Sequence, residues 1–61
     1  MNQQQFLTFT HLAEAKGHKL NPPIETSQGW EAIAEKDGKA AFTGIASTPE
    51  RAMHLCVHSI P

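Results

Sequence analysis

The chain has 61 residues, 39% of them hydrophobic, and a formal net charge of −1. A chain of that length closes one thin core and has little room for ligand cavities, which run to about 300–1,000 Å³. Catalysis is therefore not expected, and no cofactor is implied. Six acids against five Lys and Arg also lack the basic excess of a general phosphate-gripping surface, so nucleic acid is a disfavoured partner.

The first element is expected as a helix over residues 3–16. Asn2 is placed to cap it, and Gln5 closes a weak capping box. Phe6, Phe9, Leu12 and Ala13 share one arc of the helical wheel, with Leu7 off the stripe. Gly17 suits the residue after the helix end, with Lys16 favourable in the last turn. Met1–Gln5 has neither the basic start nor the apolar run of a signal peptide. The single cysteine, Cys56, rules out an internal disulfide. No stretch approaches the ~18 apolar residues of a membrane span. A cytoplasmic protein that does not enter a membrane is the expectation.

Residues 20–29 form the least patterned stretch. Pro22-Pro23 excludes helix and disfavours a central strand. Leu20 and Ile24 suit an extended edge, and residues 26–29 read as a loop.

Two strand-like runs, residues 30–35 and 39–45, then flank Asp37-Gly38. That dipeptide signals a type I′ hairpin, whose two central residues both take positive φ. Strict two-residue-turn pairing sets Ile33 opposite Phe42, Trp30 opposite Ile45, Ala32 opposite Thr43 and Ala34 opposite Ala41. One face then holds Trp30, Ala32, Ala34, Ala41, Thr43 and Ile45, and its small residues suit close helix packing. The other holds Glu31, Ile33, Glu35, Ala40, Phe42 and Gly44. A one-residue change of register would exchange these assignments and turn Phe42 inward.

The last helix is expected from Pro49 to His58. Thr48 supplies an N-cap hydroxyl, Pro49 the first helical residue and Glu50 an acid in the first turn. Ala52, Met53, Cys56, Val57 and Ile60 make its apolar arc, and Glu50, Arg51, His54 and His58 its polar side. The whole is a single α+β domain over residues 1–61. Its order is α-β-β-α, or α-β-β-β-α if the edge segment pairs. Both helices pack on one face of the antiparallel hairpin or sheet, and Trp30 and Phe6 are expected in the core.

Three functional readings follow. The first is a small non-enzymatic protein-binding module, such as a phage- or prophage-type inhibitor or an antitoxin-like accessory protein. Its contact surface is the face the helices leave open: an Ile33–Phe42 pair ringed by Glu31, Glu35 and Lys39. The partner is another protein or a second copy of the chain. The second is a nucleic-acid-binding module using Lys16, Lys19, Lys36 and Lys39. The third is metal binding through Glu50, His54 and His58, since histidines at i and i+4 can share an ion. Cys56 points about 160° from that pair on a regular helix, and a solvated polar face accounts for the same residues. No metal is assigned. Glu31 and Glu35 lie roughly 13 Å apart along a strand, too far to act as paired carboxylates.

Residues 29–32 (Gly-Trp-Glu-Ala) and 42–45 (Phe-Thr-Gly-Ile), followed by 47–52 (Ser-Thr-Pro-Glu-Arg-Ala), resemble the strand–strand–helix core of HicB-like antitoxin domains over about half the chain. That resemblance implies a neutralising, protein-binding role. The element order is also similar to that of double-stranded-RNA-binding domains. Where those carry a Lys-Lys pair at the start of the last helix, this chain has Pro49-Glu50-Arg51.

Overall fold

The computed structural model describes residues 3–61. The N-cap expected from Asn2 lies outside the described residues. In chain order the elements are α1 (Gln3–Ala15), β1 (Lys19–Leu20), β2 (Ile24–Thr26), β3 (Gly29–Lys36), β4 (Lys39–Ala46) and α2 (Pro49–Ser59). This is a small α+β domain with two helices and an antiparallel sheet, in the α-β-β-β-α order. β1 and β2 both pair with β3, and β4 also pairs with β3. β1 and β2 are therefore one edge strand in two pieces, and β3 is the central strand.

The break in that edge is the proline pair. Lys19 stands opposite Glu35 and Leu20 opposite Ala34, and the Asn21 amide donates to the Ile33 carbonyl at 2.9 Å. Pairing resumes with Ile24 opposite Glu31. Pro22 and Pro23 together thus face Ala32, a bulge of the kind that tolerates proline on an edge.

A second bulge sets the architecture. The turn itself is as expected: Asp37 and Gly38 have φ of 56° and 78°, and Lys36 pairs with Lys39 and Glu35 with Ala40. The register then shifts, so that Ala34 pairs with Phe42, Ile33 with Thr43, Ala32 with Gly44, Glu31 with Ile45 and Trp30 with Ala46. Ala41 is the extra residue. The expected pairs Ile33–Phe42, Trp30–Ile45, Ala32–Thr43 and Ala34–Ala41 do not form. One inserted residue exchanges the faces of everything beyond it.

The gain is at Gly44. It now lies under α2, so close that a β-carbon built there would collide with the Ala52 carbonyl oxygen and sit 2.6 Å from the Cys56 nitrogen. Strict register would have buried the Thr43 hydroxyl and kept a side chain between strand and helix. The bulged register puts Phe42, Gly44 and Ala46 beside Trp30, Ala32 and Ala34 beneath the helices.

The core is Ala13, Leu20, Ala32, Ala34, Ala52, Met53, Cys56, Val57 and Ile60, with Phe6, Phe9, Trp30, Phe42 and Ala46 packed at its margin. Trp30 and Phe6 are thus rim residues and not fully buried ones. Met53 is the largest fully buried side chain, and alanines supply most of the sheet's contribution. The inward arc of α1 is Phe6, Phe9 and Ala13, and Leu12 is 43% exposed.

Both helix ends have defined partners. After α1, the Gly17 amide donates to the Glu14 carbonyl at 2.9 Å and the His18 amide to the Ala13 carbonyl at 3.0 Å, the two bonds of a Schellman end. Thr48 caps α2, its hydroxyl accepting from the Arg51 amide at 3.3 Å, with Pro49 in the first turn.

Candidate binding surface

The two faces of the sheet differ in what covers them. On one side α2 packs on β3 and β4, while α1 packs on α2 and β1. On the other side no described element packs. Register assigns that open face its residues. Ile24, Glu31 and Ile45 form one cross-strand row. Asn21, Ile33 and Thr43 form the next, and Lys19, Glu35 and Ala40 the third. Ile24 is 56% exposed and Ile45 46%, while Ile33, Glu31 and Glu35 are half-buried.

The electrostatics of the face are uneven. Glu35 accepts from the Asn21 side-chain amide at 2.5 Å and stands opposite Lys19. Among the described residues the Glu31 side chain has no hydrogen-bond or ion-pair partner. It is a carboxylate set among three isoleucines.

Of the residues proposed from sequence for the contact surface, the fold brings Glu31, Ile33 and Glu35 together and removes Phe42. The Phe42 ring lies edge-on to His18 with centroids 5.5 Å apart, and its carbonyl accepts from the Cys56 thiol at 3.5 Å. Lys39 sits at the hairpin tip opposite Lys36, away from the isoleucines. Ile24 and Ile45 replace Phe42. The sequence carried one signal for this: strict pairing points Thr43 inward and Phe42 outward, the reverse of their polarity.

Register sets three of the four lysines of the nucleic-acid reading, Lys19, Lys36 and Lys39, at the hairpin-turn end of the sheet. Lys16 is occupied within the fold. Its Nζ donates to the Val57 carbonyl at 3.2 Å and the Ile60 carbonyl at 3.0 Å. A cation at the end of α1 thereby bonds carbonyls at the end of α2, one of which, Val57, also accepts from the Ile60 amide, and meets the negative end of its dipole. Lys19 lies beside Glu35, and Lys36 and Lys39 flank the hairpin turn.

The metal reading meets a similar difficulty. Among the described residues no three His, Cys, Asp or Glu side chains gather around one point. The His54 and His58 rings lie 4.2 Å apart, tilted by 35°, and His54 meets the edge of Phe9 at 6.3 Å. The Phe9 contact joins the helices. Beside them, Phe9, Thr48, Glu50, Arg51 and His54 line a shallow groove of about 460 Å³, open to solvent. Cys56 points to the opposite, buried side, where burial pushes its thiol above the ordinary value of 9.0 and a backbone contact from Ala34 offsets part of the shift.

No described helix is long and apolar enough to cross a membrane. Comparison with protein-family models, with curated proteins and with solved structures gives no match. The likeness to HicB-like and double-stranded-RNA-binding domains accordingly rests on short motifs and element order.

Proposed function

We propose that this chain is a small non-catalytic domain that binds another protein on the open face of its sheet. One observation carries the reading. Ile24 and Ile45 are about half exposed in a single row with Glu31, and Ile33 adjoins them on a face that the helices leave bare. Apolar side chains gathered at the centre of a polar-rimmed surface are the usual make-up of a contact site. Near-neutral charge and a 61-residue chain suit an inhibitor or antitoxin-like accessory protein, which acts by covering part of a larger one. The phosphate-binding alternative is weakened by Lys16, whose ammonium is committed to α2.

The test compares charged substitutions on the two sides of the molecule. Ile24→Lys and Ile45→Lys should leave the folded spectrum intact and abolish capture of the partner from extracts of the native host. Leu55→Lys, at an exposed helix position, should retain it. Equal capture by all three variants would refute the assignment.

A further inference from the structure

The open face carries a charge that any partner must answer, and this specifies the partner's chemistry. Glu31 occupies the centre of the Ile24–Glu31–Ile45 row. Its row neighbours flank it on adjacent strands at roughly 5 Å each, with Ile33 roughly 7 Å further along β3. The other acid of the face is better provided for, because Glu35 accepts from Asn21 and lies opposite Lys19. A purely apolar partner would seal the Glu31 carboxylate away from water with nothing to pair it, which is strongly unfavourable. A partner that covers the isoleucines therefore has to bring a cation to that point.

A second copy of this chain meets the requirement poorly, because the lysine on its open face, Lys19, already stands opposite Glu35. In an aligned face-to-face pair, a two-fold axis along β3 sets Glu31 on Glu31 of the other copy. An axis across the strands through the Ile33 row sets it against Glu35 of the other copy. Both arrangements oppose like charges at the centre of the contact.

The occupant is also constrained in shape. β3 is hydrogen-bonded along both edges, so what covers this face contributes side chains and not a further strand. A helix is the usual cover for a sheet face. The central strand β3 has eight residues, about 26 Å of extended chain, which about 18 residues of helix match.

We propose that the partner presents an amphipathic helix whose apolar face carries one lysine or arginine, seated on Glu31 between Ile24, Ile33 and Ile45. This rests on the docking reading above and adds the chemistry of the occupant.

The probe is a pair of synthetic 18-residue helical peptides with the same leucine and alanine face. One has lysine at the centre of that face and the other glutamate. Each is titrated into the full chain and followed by amide chemical shifts. The lysine peptide should shift Ile24, Glu31, Ile33 and Ile45 and bind at least about tenfold more tightly than its twin, the scale of one charge-assisted contact. Glu31→Gln should erase that preference and Glu31→Lys should invert it, both with the folded spectrum preserved.

If both peptides bind the open face alike, the proposed chemistry fails while the docking face stands. If shifts at these four residues depend on protein concentration alone, the occupant is a second copy and the proposal is overturned. If neither peptide moves the open face, or the shifts fall on the helices, the docking reading fails with it.

Discussion

The two faces of this sheet are built from the same three extended segments, yet the helices cover only one of them. The covered face is small at its centre, where Ala32, Ala34 and Gly44 are buried, and bulkier at its margin, where Leu20, Trp30 and Phe42 pack. Its stability comes from what the small residues admit, the close approach of α2. The open face keeps the larger aliphatics, Ile24, Ile33 and Ile45, around an acid.

Substitutions on each face can break this comparison. The largest effect is expected at Gly44. A valine there has backbone of α2 in its place, and overpacking against backbone should cost about 3 kcal/mol or more. A domain of this size has roughly that much stability in total. Gly44→Val should be largely unfolded at 25 °C by circular dichroism, and a native-like melting curve would show that β4 does not meet α2 as described.

Next comes a matched pair on β4. Phe42→Ser should destabilise by about 2–3 kcal/mol, less than the loss of a fully buried aromatic. Ile45→Ser, three residues along on the other face, should change stability by no more than about 0.5 kcal/mol. Urea titrations of both variants measure the difference, and similar midpoints would dissolve the distinction between the faces.

Lys16 extends the comparison to the helices. Lys16→Met keeps most of the aliphatic stem but leaves the carbonyls of Val57 and Ile60 without their cation. The expected loss is about 1–2 kcal/mol. Faster amide exchange in the last turn of α2 should accompany it, and unchanged exchange there would remove the capping role. Thr48→Ala, at the other end of α2, should cost about 1 kcal/mol, read as a lower denaturation midpoint.

The smallest effect is one of pH. The Cys56 thiol is raised above its ordinary 9.0 by burial, so the folded chain holds that proton more tightly than the unfolded one. Stability is therefore unaffected by this group well below pH 9 and falls as pH rises past 9. Cys56→Ala should lose that alkaline decline, and an identical pH profile would assign it to other groups.

The legible parts of the fold were those governed by local chemistry. Asp37-Gly38 demands positive φ, Thr48-Pro49 starts a helix, and Gly17 ends one, because each signal acts within a few residues. The arc of α2 emerged intact from its spacing. The face of β4 did not, since it depends on Ala41 being an extra residue. A bulge at an alanine has no local signature, and what selects it is the distant fit of Gly44 under Ala52 and Cys56. Leu12 was misassigned for a related reason: α1 rests on α2 and β1, so its inward arc is narrower and runs through Phe6, Phe9 and Ala13.

The candidate surface followed the same division. Glu31, Ile33 and Glu35 precede the bulge and stayed where alternation put them. Phe42 follows it and moved inside. Ile24 reaches the open face only because Pro22 and Pro23 stand together opposite one residue of β3. The role of Lys16 joins residues more than forty positions apart, and no spacing rule reaches that far.

The account turns on which side of the sheet Phe42 occupies, and nuclear Overhauser contacts from its ring measure that directly. The Phe42 ring protons should show contacts to the His18 ring and to Cys56 on α2, with none to the methyl groups of Ile33. Contacts between Phe42 and the Ile33 methyls would restore strict hairpin register. They would return Phe42 to the open face and contradict both the covered core and the isoleucine surface described for this domain.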